Sequence, residues 1–325
     1  MEQVRLGRSG LTVSRLAFGT WQLGGDWGAT DEKRAIDAIR HAADLGITLF
    51  DTAQGYGFGE SERMLAKALD GRARDEVVLA TKGGLRPAGK GVARDASPAW
   101  IRKGVEESLQ ALRTDHIDLY QVHWPDPSTP FEDTASTLAE LVSEGKVGHV
   151  GVSNFNVEQM QDFSTTLPVE TLQPPYNLFR KDIESAILPY TASHDIGVLA
   201  YGPLAHGLLG GSLRADTQFA PGDWRATSAD FRDETYARNL AVVAELERLA
   251  RRELDMSLSQ LAVAWTLANP AVHVAIVGTR NPAHVKEAVA AAEVTLEPAA
   301  LKRIDEIMRG ARPVAGPSPE MMPED

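Results

Sequence analysis

Four side chains that could move a proton follow three predicted strands of this chain. Asp51 and Tyr56 come after one short apolar strand, Lys82 ends the next, and His123 follows the third. A lysine at the end of an apolar strand is costly to desolvate unless a carboxylate meets it, so we expect Lys82 to pair with Asp51. Because a cation within about 4–6 Å typically lowers the pKa of an acid by ~1–3 units, Tyr56 beside Lys82 becomes a usable proton donor. His123 would polarise or orient the accepting oxygen.

Each of these residues also has a plain structural interpretation. Asp51 could cap a turn and Tyr56 could be an ordinary loop residue, while a lone lysine is often solvated and a lone histidine often structural. Four suitable residue types at equivalent places on consecutive strands are less easily explained by chance. A proton donor with neither a nucleophile nor a metal still needs something to attack a carbonyl, and hydride from a nicotinamide cofactor would supply it.

Composition excludes several classes of site. The chain has 325 residues, of which 43% are hydrophobic and 24% charged, and this balance is typical of globular proteins. It has no cysteine, so disulfides and thiolate sites are excluded, and its histidines have no metal-ligand spacing. The net charge of −12 argues against nucleic acid or an anionic membrane as the partner. The N-terminus has no apolar signal region and no apolar run reaches the ~18 residues of a membrane span, so we expect a cytoplasmic protein.

Strands and helices alternate along nearly the whole chain. The pattern predicts strands at 16–19, 48–51, 77–81, 117–122, 150–153, 171–174, 198–200 and 272–277. It predicts helices at 31–45, 60–69, 98–112, 131–144, 157–165, 183–194, 233–254, 257–267 and 282–291, with an extra helix at 298–308. Eight such alternations favour an α/β fold of the (β/α)8 TIM-barrel type. We expect one domain over residues 1–325, an N-terminal β-hairpin between residues 4 and 13, and a C-terminal tail, 311–325, that is mobile or a lid.

Motifs along the whole chain resemble those of the aldo-keto reductases. They include L-x-F-G-T-W from Leu16, D-T-A-x-x-Y-G from Asp51, G-x-S-E from Gly59, T-K at Thr81, H-I-D-L-Y-Q-V-H from His116, G-V-S-N-F from Gly151, Q-P-P-Y-N from Gln173, Y-G-P-L from Tyr201 and I-V-G-T-R from Ile276. Within that family the chain is more similar to bacterial oxidoreductases related to potassium-channel β subunits than to animal aldose reductases. The resemblance implies a TIM barrel, NAD(P)H-dependent carbonyl reduction, and a catalytic tetrad of Asp51, Tyr56, Lys82 and His123.

The resemblance also implies where the cofactor binds. Ser153, Asn154 and Gln173 would hold the nicotinamide carboxamide, and Tyr201 would stack on the ring. The remaining contacts would come from strand ends and loops: Gly19, Thr20, Trp21, Asp51, Gly202, Pro203, Leu204, Gly278, Thr279, Arg280 and His284. The segment from Gly202 to Leu204 and the loop through Gly211 would lie along the pyrophosphate.

The end of the site nearest the adenosine departs from the family pattern. Arg280, beside the N-terminus of the helix at 282–291, would pair with a 2′-phosphate and favour NADPH, with NADH possible. Relatives commonly have Gln and then Asn where this chain has His284 and Ala288, so one adenosine contact is expected to be missing.

The predicted substrate is a small-molecule carbonyl or alcohol. Trp21, Tyr56, His123 and Trp124 would line its pocket, and the loop residues Phe219 and Trp224 could either line it or simply pack. A regulatory or partner-binding barrel with weak catalysis is the alternative, although the complete tetrad argues against it. A glycosidase would need a second carboxylate at a strand end, and none is convincing.

Overall fold

A closed barrel of parallel strands forms the centre of the protein. The computed structural model describes residues 1–25, 31–89, 91–220 and 223–316. Within these ranges the barrel has eight strands. They are β3 (Leu16–Gly19), β4 (Leu49–Asp51), β5 (Val78–Gly83), β8 (Ile117–Val122), β9 (Val147–Ser153), β10 (Thr171–Gln173), β11 (Gly197–Tyr201) and β12 (Val274–Gly278). The sheet closes because β12 pairs with β3. The TIM-barrel prediction is confirmed.

Helices surround the barrel and alternate with its strands. They are α1 (Glu32–Asp44), α2 (Glu60–Leu69), α3 (Pro98–Leu112), α4 (Phe131–Ser143), α5 (Val157–Phe163), α6 (Ile187–Ser193), α7 (Asp233–Glu253), α8 (Leu258–Ala268), α9 (Pro282–Ala292) and α10 (Pro298–Met308). Local sequence fixes several starts. The Asp31 carboxylate accepts from the Arg34 amide at the start of α1, and Ser97 caps α3 with Pro98 in the first turn. Among the helices described, none combines the length and apolar character needed to cross a bilayer.

The predicted N-terminal hairpin is confirmed. Its strands β1 (Gln3–Arg5) and β2 (Thr12–Ser14) pair antiparallel. Leu6 and Val13 are fully buried in one cluster with residues of the barrel interior. The Arg8 amide donates to the Asp195 carbonyl at 2.6 Å, just before β11 begins. The hairpin therefore covers the end of the barrel where the strands start, opposite the predicted site.

A second hairpin was not predicted from the sequence. Its strands β6 (Leu85–Ala88) and β7 (Gly91–Arg94) pair antiparallel directly after β5. It is tied to its surroundings at both ends, because the Trp100 indole donates to the Leu85 carbonyl at 2.9 Å and Arg94 donates to the Pro125 carbonyl at 2.8 Å. The hairpin thereby extends one wall of the barrel mouth.

The predicted helix at 183–194 is wrong in its first turn. A short 3-10 helix covers Asp182–Glu184, and α6 begins only at Ile187. Pro189 explains the late start, since its ring lacks an N–H and clashes with the carbonyl four residues earlier, so only the first turn of a helix accommodates it.

The segment after α10 lies against the barrel as far as the structure describes it. The Arg312 amide donates to the Asn239 side chain at 2.8 Å, and the Ala315 amide donates to Asp230 at 2.9 Å. Val314 is 1% exposed and its amide donates to the Phe179 carbonyl at 3.2 Å. Residues 317–325 of the predicted tail lie outside the described residues, and the mobility of 311–325 stays a prediction.

Candidate active site

A buried ion pair lies at the carboxyl end of two adjacent strands. Asp51 of β4 pairs in register with Ala80 of β5, so Lys82, two residues further along β5, points to the same side of the sheet. Its ammonium donates to Asp51 Oδ2 at 2.7 Å and to the Thr52 carbonyl at 2.8 Å. Lys82 is 0% exposed and Asp51 is 3% exposed. Burial lowers the pKa of Lys82, and the Asp51 carboxylate opposes that decrease.

Tyr56 lies directly above this pair. The Lys82 Nζ atom is 3.3 Å from the Tyr56 hydroxyl and 4.9 Å from the centre of its ring. The loop that carries Tyr56 is packed tightly on Gly24, where a Cβ atom would lie 2.7 Å from the Tyr56 carbonyl carbon. A side chain at position 24 would therefore displace the tyrosine, and glycine is required there for steric reasons.

His123 faces Tyr56 as a neutral imidazole. The two rings meet edge to face with their centres 5.6 Å apart. Burial, and then the nearby Lys82 ammonium, hold the pKa of His123 well below its usual value. Its Nδ1 atom is fully buried, whereas Nε2 is not and makes no hydrogen bond to the described residues. The Nε2 atom of the neutral ring can therefore hydrogen-bond an oxygen placed beside Tyr56.

Asp51 is also tied to the far side of the barrel. Its Oδ1 atom accepts from Gln173 Nε2 at 2.8 Å, while Oδ2 serves Lys82. The Gln173 Oε1 atom accepts no hydrogen bond from the part of the chain that the structure describes. This oxygen is therefore open to a ligand.

The other polar strand ends bond to one another. The Asn154 amide donates to Ser153 Oγ at 3.0 Å and to the His123 carbonyl at 3.1 Å, and its oxygen accepts from the Tyr201 hydroxyl at 2.9 Å. Ser153 Oγ donates to the Gln173 carbonyl at 2.8 Å. Since both amide protons of Asn154 are already used, Gln173 is the better placed of the predicted carboxamide partners.

One cavity of about 920 Å³ connects these residues with the N-terminus of α9. Nearly all of the predicted site residues line it: Gly19, Trp21, Asp51, Tyr56, His123, Trp124, Ser153, Asn154, Gln173, Tyr201, Gly202, Pro203, Leu204, Gly278, Thr279, Arg280 and His284. Lys82 lies behind this surface and reaches it through Tyr56. Thr20 is misplaced by the sequence prediction, because it is fully buried and its hydroxyl accepts from Ser61 Oγ at 2.6 Å behind the wall.

The His284 side chain turns back toward the residues that precede its helix. Its Nδ1 atom lies 3.3 Å from the Thr279 hydroxyl and its Nε2 atom 3.2 Å from the Asn281 amide. Ala288 also lines the cavity and has no side-chain hydrogen-bonding group. The adenosine end of the cavity therefore offers fewer free hydrogen-bonding groups than the family pattern implies.

Sequence reasoning missed several residues of the cavity wall. They include Gln22, Leu85 and Val92. Leu85 and Val92 belong to the unpredicted hairpin. His206 lies in the loop that was expected along the pyrophosphate, but no role was predicted for its side chain. Of the two loop aromatics, neither Phe219 nor Trp224 lines the cavity; both pack edge-on against Phe231, at 5.6 and 5.7 Å.

Comparison with models of known protein families assigns the chain to one of them. The model of the aldo/keto reductase family matches residues 15–309. The chain belongs to this family. It is 43% identical to aldo-keto reductase YhdN of Bacillus subtilis (strain 168), over 88% of this chain and 87% of the relative. It is 33% identical to the NADH-specific methylglyoxal reductase of Escherichia coli (strain K12), over 92% of this chain and 96% of the relative.

Solved aldo-keto reductases have the same fold. The glycerol dehydrogenase AKR11B4 from Gluconobacter oxydans superposes with a TM-score of 0.87 at 39% identity, covering 97% of this chain and 98% of that one. An aldo/keto reductase from Klebsiella pneumoniae, in complex with NADP and acetate, superposes with a TM-score of 0.74 at 29% identity, covering 94% and 95%. These relatives support carbonyl reduction as the general activity of this aldo/keto reductase.

Proposed function

We propose that this aldo/keto reductase uses NADPH, and less readily NADH, to reduce aldehydes and ketones to alcohols with Tyr56 as the proton donor. The observation that carries the proposal is the position of the Lys82 ammonium, 2.7 Å from Asp51 and 3.3 Å from the Tyr56 hydroxyl at one end of the large cavity. This arrangement is suited to general acid catalysis, which typically contributes ~10²–10⁴ in rate.

The residues of the cavity fit a nicotinamide dinucleotide. Gln173 Oε1 is an acceptor without a protein donor among the described residues, as a carboxamide N–H requires. Gly202 and Gly278 also line the cavity, where the absence of side chains leaves room for a pyrophosphate. At the far end, Arg280 and the N-terminus of α9 favour an anion such as a 2′-phosphate.

The protein groups act on the carbonyl oxygen. When bound, the reduced nicotinamide supplies hydride to the carbonyl carbon. Tyr56 donates its phenolic proton to the oxygen, and the Lys82 ammonium stabilises the phenolate that remains. Asp51 keeps Lys82 charged and fixes its position. The neutral His123 donates a hydrogen bond to the same oxygen and so orients the substrate.

The names of relatives guide the choice of cofactor and substrate. The Klebsiella pneumoniae structure contains NADP, whereas the Escherichia coli relative is named NADH-specific. Since His284 and Ala288 weaken the adenosine end here, both cofactors belong in the test. Methylglyoxal reductase and glycerol dehydrogenase among the relatives suggest small oxygenated compounds as the first substrates to try. The intact ion pair beneath Tyr56 supports an enzyme over the alternative of a regulatory or partner-binding barrel with weak catalysis.

Consumption of NADPH and NADH with methylglyoxal and benzaldehyde tests the proposal. We expect Tyr56→Phe to lower kcat by about 10²-fold or more. Its affinity for NADPH, followed by fluorescence quenching, should stay within about threefold of wild type because the lost hydroxyl acts on the substrate. Tyr190→Phe is the matched control, since this tyrosine stacks on His194 of the surface, away from the cavity. A Tyr56→Phe loss below about 10-fold would exclude the tyrosine as the acid.

A further inference from the structure

His206 is a buried polar residue of the cavity wall that the proposed chemistry does not use. It belongs to the 3-10 segment Ala205–Gly210 that follows β11, and it lines the same cavity as Tyr56. Its backbone has φ = 56°, a left-handed conformation that is uncommon for a residue other than glycine. The side chain is only 9% exposed. The fold therefore holds this imidazole in place at some conformational cost.

Aromatic rings fix the orientation of the imidazole. The Trp21 ring lies edge-on to His206 with the centres 6.1 Å apart, and the Trp224 ring does the same at 5.0 Å. Gly316 closes the third side so tightly that a Cβ atom there would lie 2.8 Å from His206 Nε2. A ring held in this way is preorganised for a ligand.

The hydrogen-bonding capacity of this ring is unused. Neither ring nitrogen of His206 bonds to any residue within the described ranges. Neither nitrogen is among the fully buried unpaired atoms of the described residues, so both can still bond to water or to a ligand. Since the ring borders the cavity, a substrate atom can provide the missing partner.

The charge of the His206 ring determines which kind of ligand group can bond to it. Burial, followed by the nearby Arg180 and Arg225, lowers the pKa of His206 to about 3, so the ring is neutral near neutral pH. A neutral imidazole offers one donor and one acceptor. A hydroxyl group can bond to an accessible ring nitrogen in either tautomer, because it donates to a bare nitrogen and accepts from an N–H, whereas a carboxylate can bond only to the N–H. The neutral ring is therefore better matched to an uncharged hydroxyl than to a carboxylate.

We propose that His206 binds a hydroxyl group of the substrate and makes the enzyme selective for hydroxylated aldehydes and ketones. This inference rests on the proposed carbonyl reduction at Tyr56. The Trp21 ring is a neighbour of both groups, with its centre 6.5 Å from that of Tyr56 and 6.1 Å from that of His206. Because both groups line the same cavity beside this indole, compounds whose hydroxyl lies at different distances from the carbonyl test which spacing is recognised.

Pairs of compounds that differ in hydroxyl groups test this selectivity. The pairs are glyceraldehyde with propanal, 4-hydroxy-2-butanone with 2-butanone and, in the oxidation direction, 1,4-butanediol with 1-butanol. For each pair the ratio of kcat/KM values is measured for wild type, His206→Phe and His206→Asn. Phenylalanine keeps an aromatic ring between the tryptophans but removes both nitrogens. Asparagine keeps a donor and an acceptor and tolerates positive φ.

We expect wild type to prefer the hydroxylated member of at least one pair. His206→Phe should lower that preference by about 5- to 100-fold, as expected for a hydrogen bond in a buried site, while activity on the unsubstituted member changes less than about threefold. His206→Asn should keep part of the preference. NADPH affinities of both variants should match wild type if the residue acts on the substrate. The thermal midpoint of His206→Asn should also match, whereas His206→Phe should melt somewhat lower because phenylalanine tolerates the positive φ less well.

Three results would overturn the inference. An equal loss on both members of a pair would show a structural role, and a weakened affinity for NADPH would assign His206 to the cofactor. A wild type that reduces both members equally well would show that no hydroxyl is recognised, while leaving carbonyl reduction intact. Absence of turnover with every compound would instead refute the proposed function on which the inference rests.

Discussion

Replacing Lys82 with methionine should lower the free energy of unfolding by more than the small change in side-chain volume would. Methionine fills a similar space, but it leaves the Asp51 carboxylate, 3% exposed, without its cation. Removing one partner of a buried ion pair typically costs about 3–5 kcal/mol in the free energy of unfolding. Gln173 still donates to Asp51 at 2.8 Å, so we expect the lower part of this range.

A second variant separates charge from packing. In Asp51→Asn with Lys82→Met the carboxylate is replaced by a neutral amide, and no uncompensated buried charge remains. Replacing both members of a buried pair by neutral groups is often close to neutral in stability, so the double variant should recover at least about 2 kcal/mol relative to Lys82→Met. Its activity should stay as low as that of Lys82→Met, because Tyr56 has lost the cation 3.3 Å away in both.

Urea unfolding followed by tryptophan fluorescence, together with NADPH-dependent turnover, measures both effects. Lys103→Met is the matched control: this lysine of α3 is 56% exposed and pairs with Glu107 at 3.5 Å, so its loss should cost below about 1 kcal/mol. If the double variant were no more stable than Lys82→Met, the penalty would come from packing. The assignment of a buried charge pair as the basis of the site's rigidity would then be refuted.

Two further predictions concern stability alone. The pKa of His149 is raised, chiefly by its 2.6 Å hydrogen bond to Glu170, so the stability that this pair provides is fully present below the unfolded pKa of about 6.5 and is lost as the pH rises through the folded value. The difference in thermal midpoint between wild type and His149→Gln should therefore shrink from about pH 6 to about pH 9, and a constant difference would contradict this. Gly83→Ala should cost about 1–3 kcal/mol in a thermal melt, because its Cβ would lie 1.8 Å from the Tyr120 hydroxyl. Adding Tyr120→Phe, which removes that hydroxyl, should restore part of the loss, and no recovery would place the strain elsewhere.

Local signals account for the parts of the fold that could be predicted. Ser97 before Pro98, and Asp31 before an amphipathic run, are sufficient to start helices without help from distant residues. The grouping of the candidate catalytic residues could also be predicted, since parallel strands in a barrel bring their carboxyl ends to one face. Asp51 and Lys82 could therefore be placed together from strand order alone, whereas the resemblance to a family was needed to suggest a role for Gln173.

The parts of the structure that could not be predicted from the sequence depend on long-range packing. The hairpin β6–β7 contains Pro87 and Gly89, which favour a loop, and its strands form only because they pair with each other beside the barrel mouth. The position of Thr20 directly after β3 suggested an accessible side chain. Its hydroxyl instead accepts a hydrogen bond from Ser61, 41 residues away, behind the cavity wall. The surroundings of the His206 side chain could not be predicted, because they depend on Trp21, Trp224 and Gly316, which are far apart in sequence.

The two oxygens of the Asp51 carboxylate bind different residues, and this links proton donation to hydride transfer. One oxygen anchors the ammonium beneath the proton donor, and the other anchors the amide that borders the expected hydride donor. Proton delivery and cofactor placement thus share a single anion on a rigid strand. A change at Gln173 that only repositions the nicotinamide would also free one oxygen of Asp51, and the acidity of Tyr56 would change with it.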